Sequence, residues 1–482
     1  MKYLLVKPHT SLEVAKRFLE FLHLEPLDLE IVAGGIGPQH DVRILDLSLS
    51  RKPPADFAAE LRRFQPQVIG FSGYSNQARN VKELAGSAKT VLPQALVVTG
   101  GIHATIAPED YGLPGTIDLV IRGEGATAMR RLTAAFDAGA PLPEDRVFLP
   151  VGSAKFGELA ALPPPELPPY DQVPRPRREL IDRARYFCVW SGDFGERLPT
   201  LFPRMATVRT SVGCPYSCSF CVVHHLANGK YLQREPEDVV DEIAGIPEEH
   251  IYFVDDEMYI NARRTRRLAE LLIERGIRKK YVSWARSDTI CRNVELFRLW
   301  KQAGLTVLYI GLESMDERTL TDYHKGYTPE TNQRAVGILR ELGIGLHAAL
   351  MVNPDFTRED FLRVRKTALA LAPAEVSFTV FSPPPGTPLW KQHRGEFICA
   401  DPHAFYDCMH TLLPTRLPLK TFYRYFALLY LHTFRRNPWR MKKNKAPLRE
   451  LLRLFTAGAR CGWSLWHIWK DYPASVRGRR EY

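Results

Sequence analysis

Two runs of alternating strand and helix patterns, separated by prolines, constrain the architecture of this 482-residue chain. In the first run, apolar stretches at Tyr3–Val6, Val42–Leu47, Val68–Ser72, Leu96–Thr99 and Leu119–Ile121 read as short buried strands. Helical patterns lie between some of them, notably Asp56–Phe64 and Ala78–Val91. This spacing predicts a parallel, doubly wound sheet, and such sheets bind ligands outside the carboxyl ends of their strands. Small residues mark those ends in Ser72-Gly73-Tyr74-Ser75, Gly100-Gly101-Ile102-His103 and Arg122-Gly123-Glu124-Gly125. Each taken alone is as good a turn as a site. On three successive strand ends they form a candidate binding face, where glycine lets a bulky planar ligand approach the backbone.

The prolines of 162–169 and 174–176 make a stiff, extended connector and an expected domain boundary. The bland reading of the same run is an irregular surface loop. Alternation resumes with strand candidates Ala206–Thr210, Ile251–Val254, Val282–Ala285, Val307–Ile310, Leu346–Val352 and Val376–Phe381. Helical segments separate them, giving about six β/α units whose chemistry should collect at the carboxyl ends of the strands. The expected division is 1–145, a connector over 146–204, a second domain over 205–398 and a helical region over 399–482.

The loop after the first strand of the second run carries Cys214, Cys218 and Cys221, a C-x3-C-x2-C spacing. One short loop can present all three sulfurs to a single centre, and thiolates are soft ligands suited to iron–sulfur clusters. Zinc is the alternative, since His224 and His225 lie just beyond. Three inert packing cysteines would not explain the crowding. The other five cysteines (188, 291, 399, 408 and 461) are scattered and do not make a disulfide framework. Later strand ends bring Asp255-Asp256-Glu257, Arg286-Ser287-Asp288 and Gly311-Leu312-Glu313-Ser314. The carboxylates either accept hydrogen bonds from an ammonium group or form a solvated acidic turn. Arg286 either clamps a carboxylate or pairs with Asp288 as structure.

The cysteine loop, with Phe220 just before its last Cys, resembles that of the radical S-adenosylmethionine (SAM) enzymes. The resemblance implies a partial (β/α)6 barrel and a [4Fe–4S] cluster on Cys214, Cys218 and Cys221, with one iron left open for SAM. It implies that Phe220, Asp256, Glu257, Arg286 and Glu313 lie about SAM. The first run resembles the cobalamin-binding, flavodoxin-like domain that precedes the barrel in one subfamily. There Ser72, Gly73, Ser75, Gly100, Gly101, His103, Gly123, Glu124 and Gly125 would hold the cobalamin. The Asp-x-His-x-x-Gly signature that supplies a histidine to cobalt is absent, and Lys7-Pro8-His9-Thr10-Ser11 stands in its place. His9 is read as a loop histidine with other work. The implied activity is methyl transfer to an unactivated carbon through a 5′-deoxyadenosyl radical and methylcobalamin, with flavodoxin or ferredoxin as reductant.

Whole-chain likeness, including 23–30, 186–192 and the tail, is similar to the hopanoid C-3 methylases, implying a lipid substrate. The alternative is a cobalamin-dependent radical enzyme that rearranges or cyclises its substrate without methylating it. A tRNA methylthiotransferase would bring a second cysteine set, and residues 1–187 contain none. A non-catalytic metal- or cobalamin-binding regulator would leave the cysteine motif unexplained.

Beyond Asp401 the alternation stops, and an aromatic stretch over 422–434 is flanked by Arg435, Arg436, Arg440, Lys442 and Lys443. The tail reads equally as an interfacial helix or as a helical cap on the barrel mouth. With a net charge of +11, nucleic acid is a candidate partner. The apolar runs are too continuous for a solvated stacking platform, so RNA is disfavoured. Neither a leader's apolar core nor a run of transmembrane length is visible, and the expected location is the cytoplasm, with peripheral membrane contact through the tail.

Overall fold

The computed structural model describes residues 1–190, 200–434 and 447–477. Phe194 and the basic cluster at 435–443 lie outside the described residues, as do Ser191 and Gly192.

The first sheet contains β1 (Lys2–Lys7), β2 (Asp41–Asp46), β3 (Val68–Ser72), β4 (Leu96–Gly100), β5 (Leu119–Ile121) and β6 (Phe148–Pro150). Its order is β2-β1-β3-β4-β5-β6. All neighbours run parallel except β5 and β6. The sheet is therefore doubly wound, with its topological switch between β1 and β3. The antiparallel strand β6 was not among the expected strands. Helices α1 (Glu13–Phe18), α2 (Leu27–Gly35), α3 (Pro53–Phe64), α4 (Ala78–Val91), α5 (Gly101–Ile106) and α6 (Gly125–Asp137) accompany the sheet. Its two faces carry separate apolar cores. Leu4, Val6, Ile69, Phe71 and Val97 point to one, and Tyr3, Leu5, Val68 and Val98 to the other. That is the period of two expected of a strand buried on both sides.

The second sheet is a six-stranded, wholly parallel half-barrel of order β12-β11-β10-β9-β8-β7. Its strands are β7 (Met205–Val208), β8 (His250–Phe253), β9 (Lys280–Ala285), β10 (Leu305–Glu313), β11 (Gly345–Val352) and β12 (Glu375–Val380). Helices α7 (Pro236–Gly245), α8 (Ala262–Glu274), α9 (Val294–Ala303), α10 (Pro329–Leu342) and α11 (Arg358–Leu371) cover its outside. Their inward stripes, such as Leu268, Leu272, Phe297 and Trp300, share one core with Ile251, Phe253 and Tyr281.

The connector lies across both sheets. Buried Arg122 donates to the carbonyls of Leu159 and Leu162 at 3.0 and 2.8 Å. On the other side Arg175 reaches Asp238 at 2.6 Å and Lys230 reaches Glu166 at 2.8 Å. A buried hub joins the two units. Arg178 pairs with Glu25 before α2 at 2.5 Å and with Glu242 of α7 at 2.6 Å, and donates to the Thr207 carbonyl at 2.7 Å.

Two C-terminal helices, α12 (Leu419–Phe434) and α13 (Leu448–His467), do not sit on the barrel mouth as a cap would. Tyr430 on α12 donates to the Phe378 carbonyl at 2.6 Å. Leu454 on α13 clusters with Tyr252, Val282 and Val307 near the amino ends of the strands. The helices thus close the foot of the half-barrel, and the loop 399–418 reaches its mouth. Val380 donates to the Cys408 carbonyl at 2.8 Å, and Ser382 to that of His410 at 2.9 Å. Among the described residues no helix is long and apolar enough to cross a membrane.

Candidate active site between two sheets

The cysteine loop opens at Gly213, whose φ of +88° and approach to the Lys230 carbonyl leave no room for a side chain. An added Cβ there would stand 2.2 Å from that oxygen. Asp256, just after β8, accepts from the Gly213 amide at 2.8 Å and so fixes the start of the loop. Farther along, Ser219 donates through its amide to the Tyr323 carbonyl at 3.1 Å. Phe220 stands edge-on to the Tyr323 ring at 5.2 Å. All three thiols are half-buried and unbridged. Burial pushes the Cys214 thiol up to about 12 and the Cys221 thiol up to about 11. Both are therefore protonated at neutral pH until a metal displaces the proton.

Around this loop the strand ends assemble a charged ring. Arg286 follows β9, with its guanidinium 3.7 Å from the Tyr216 ring centroid and its Nη1 3.5 Å from the Cys218 sulfur. It also pairs with Asp288 at 3.0 Å. Glu257 accepts from the Arg286 amide at 2.8 Å, and burial raises its carboxyl to about 7. Burial also raises Asp255 and Asp256, which keep their place by hydrogen bonds. Asp255 accepts from the amide and hydroxyl of Thr210 at 3.1 and 2.8 Å. Asp255 and Glu257 are thus buried rather than solvated, and Asp256 between them stays exposed. Asp255, one oxygen of Asp256 and both oxygens of Glu257 brace the loop and the neighbouring strand end.

Glu313 ends β10 at φ +57°, beside a register shift in the β10–β11 pairing. A left-handed non-glycine residue at a strand end marks strain held by its surroundings. Here the holder is Lys325, whose ammonium lies 3.2 Å from the Glu313 carboxylate. Burial acts to lower this ammonium's pKa, and Glu313 more than reverses it. Lys325 and its neighbours Tyr323 and Tyr327 were not singled out from the sequence. A lysine between two tyrosines in a turn carries no pattern that distinguishes it.

The first sheet faces this ring with the ends of β3, β4 and β5. Ser72 donates to Asp28 at 2.6 Å. Gly101 has φ +87°, and an added Cβ would stand 2.8 Å from the Ser72 hydroxyl and 3.0 Å from the Gly73 nitrogen. Those two segments pack with no side chain between them. His103 is fully buried, with Ser75 at 3.1 Å and Asp110 at 3.0 Å on its two ring nitrogens. Asp110 also meets His403 of the mouth loop at 2.6 Å, so this cluster ties the first sheet to the loop. Among the described residues, His103, Asp110 and His403 are the one set of His, Cys, Asp or Glu groups gathered closely enough for a single ion. His224 and His225 do not join the cysteines in such a set. Gly123, at φ +78°, precedes Glu124, whose carboxylate caps α6 through the amides of Ala126 and Thr127 at 2.9 and 2.7 Å, with Gly125 as the first residue of the helix. Gly100 closes β4 opposite Ser72.

Tyr74 marks the space between the two ends. It is 61 % exposed, yet its phenol is pushed up to about 12, first by crowding and then by Asp28 of the first unit and Asp256 of the second. A side chain both open and enclosed by charges from two sheets lines an interdomain cleft. His9 does not stand open in it as a free ligand would. Its ring is half-buried, which lowers its pKa, and its carbonyl accepts from Asn80 at 2.7 Å.

Family comparisons agree with this geometry. The "Radical SAM superfamily" model matches residues 208–368, and the "B12 binding domain" model matches 20–133. The chain is 33% identical over 409 residues to the hopanoid C-3 methylase of Methylococcus capsulatus, covering 84% of this chain and 75% of that protein. It is 28% identical to an uncharacterized methyltransferase of Pyrococcus horikoshii over 81% of this chain and 83% of that one. In fold it is similar to the solved cobalamin-dependent radical enzyme OxsB, with a TM-score of 0.67 at 16% identity over 99% of this chain and 82% of the other. Three free cysteines at a barrel mouth, facing a glycine-lined sheet edge across a cleft, suit an iron–sulfur cluster, SAM and cobalamin. The chain belongs to the B12-binding radical SAM enzymes and is a cobalamin-dependent radical SAM methyltransferase.

Proposed function

We propose that this enzyme methylates a hopanoid lipid, at C-3 of its ring system. The observation that carries the reading is the 33% identity to a hopanoid C-3 methylase, sustained over 84% of the chain. When bound, the cluster and SAM supply a radical that removes hydrogen from carbon, and cobalamin supplies the methyl group.

The chain's own residues do the positioning. Cys214, Cys218 and Cys221 hold the cluster, and the Gly213–Asp256 bond fixes the loop they sit on. Arg286, steadied by Tyr216 and Asp288, would offer its guanidinium to the SAM carboxylate. Glu313 and the free oxygen of Asp256 would be acceptors for its ammonium, with Glu257 behind them bound to the amides of Tyr259 and Arg286 and Phe220 beside the site. Ser72, Gly73, Gly100, Gly101, Gly123 and Gly125 form the floor on which the corrin lies. Ser75, His103 and Glu124 act one layer back, by holding that floor in shape. The cleft excludes water from the reacting atoms. A flavodoxin or ferredoxin delivers the electron.

The test is anaerobic turnover of the reconstituted enzyme with diploptene, a hopanoid without the methyl group, read by mass spectrometry and NMR. A product one methyl heavier and substituted at C-3 is expected. Methylation at another position, or none, overturns the substrate assignment.

A further inference from the structure

A partly open cavity of about 450 Å³ lies at the foot of the half-barrel, at the opposite end of the strands from the cysteines. Its ceiling is the inner face of the sheet at Tyr252, Val282 and Val307, and its walls include Phe18, Leu454 and Leu465. Protein interiors are close-packed, so a void of this size forfeits contacts along its whole lining. Water is a poor filling. About 15 waters would be needed at their usual ~30 Å³ each, and most of the wall is aliphatic and aromatic. Small residues lie along the space. Ala368, Ala374, Gly458 and Gly462 line it, and an added Cβ at Gly462 would meet no heavy atom within 4 Å.

Polar side chains line it too, among them His347, Ser377, Glu375 and Thr433. His347 lies 2.7 Å from the Ser377 hydroxyl and 3.1 Å from Glu375. One level up, the rings of Trp284 and Tyr309 approach to 3.7 Å, and Tyr309 meets His347 at 4.4 Å. This aromatic layer stands between the cavity and the level of Glu313. Val307 and Glu313 share β10 six residues apart, a span of about 20 Å at ~3.3 Å per residue.

We infer that this cavity is a binding site for a neutral polycyclic lipid, a holding site set apart from the cleft by the aromatic layer. A size of ~300–1,000 Å³, apolar walls and a few placed polar groups are the marks of a small-molecule site. The described lining residues include no lysine or arginine to meet an anionic headgroup, so the ligand class is a hydrocarbon skeleton with at most a hydroxyl. Access is beside α13, which turns Leu454, Cys461 and Leu465 inward and Leu452 and Trp463 outward. The inference rests on the lipid reading of the function and adds where the lipid is held.

Two variants fill the space, Gly458→Leu and Gly462→Leu, and both favour the helix they sit in. The reconstituted full-length proteins are mixed with diploptene in phosphatidylcholine vesicles, and protein-bound diploptene is measured after the vesicles are removed. The wild type should retain the lipid, and each variant should retain it at least tenfold less. SAM cleavage measured without lipid serves as the control for an intact radical site. If both variants retain and methylate diploptene like the wild type, the cavity is not the site and the hopanoid function stands. If the wild type itself neither retains nor methylates diploptene, the lipid reading fails and the inference falls with it.

Discussion

His410 shows how one side chain sets a pH limit on this fold. It is fully buried, with Asp407 on one ring nitrogen and Asp471 on the other, each at 3.0 Å. Burial opposes its charge, and the two carboxylates outweigh burial, raising its pKa to about 9. A folded pKa above the ordinary 6.5 adds stability that is complete below pH 6.5 and is lost as pH rises through 9. The shift is worth on the order of 3 kcal/mol. Amide exchange in 399–418 and 468–472 should therefore speed up between pH 7 and 9.5, after correction for intrinsic rates. In His410→Gln the protection should be low throughout and the extra slope absent. Little of this was legible in the sequence, because Asp471 is 61 residues away. His103 teaches the same point. Its Gly-Gly-x-His setting is visible as a motif, but Asp110, itself held by His403, takes up its outer nitrogen only in the fold. Lys325 was invisible for the same reason, since its meaning lies in the Glu313 carboxylate beside it. The three cysteines were legible because their chemistry depends on local spacing alone.

At the scale of elements, strands were easier to read than their packing. Leu119–Ile121 and Val68–Ser72 fall on the expected residues, because β-branched and aromatic runs between turns leave few alternatives. The edge strand β6 was missed, being three residues long, antiparallel and ended by Pro150. The amphipathic tail was legible as helix, but amphipathicity does not say which end of a barrel it covers. Helix α13 exposes Leu448 at 81 % and Trp463 at 71 %, with Leu452 on the same stripe. Arg449 stands exposed beside them. We propose that this stripe rests on an anionic membrane surface. Leu452→Glu combined with Trp463→Glu should cut co-sedimentation with phosphatidylglycerol vesicles several-fold and leave SAM cleavage intact. Unchanged co-sedimentation would sink the membrane assignment.

Over the whole molecule, the cleft exists only if the two sheets keep their relative placement. Arg178 is central to that placement, since Glu25 and Glu30 come from one unit and Glu242 and Thr207 from the other. Glu30 is pushed up to about 8 by burial and then by Glu25. Arg178→Met removes the cation that Glu25 and Glu242 share, leaving Arg234 on Glu242 alone, and breaking such a buried pair costs about 3–5 kcal/mol. The expected result is faster proteolysis within 162–176 and weaker cobalamin retention, with iron content close to wild type. Retained cobalamin and unchanged proteolysis would contradict the hub's role. The doubly wound sheet and the six β/α units of the second sheet were legible from alternation. The contact between them was not, because the residues that make it are single charges scattered from Glu25 to Glu242.

The central claim is that one cleft joins SAM-derived radical chemistry to methyl transfer. The direct measurement is the product ratio in anaerobic turnover with diploptene. This account predicts 5′-deoxyadenosine and S-adenosylhomocysteine forming together, one of each per methylated lipid. Deoxyadenosine accumulating with altered substrate and no S-adenosylhomocysteine would contradict it, and would instead mark an enzyme that rearranges or cyclises its substrate.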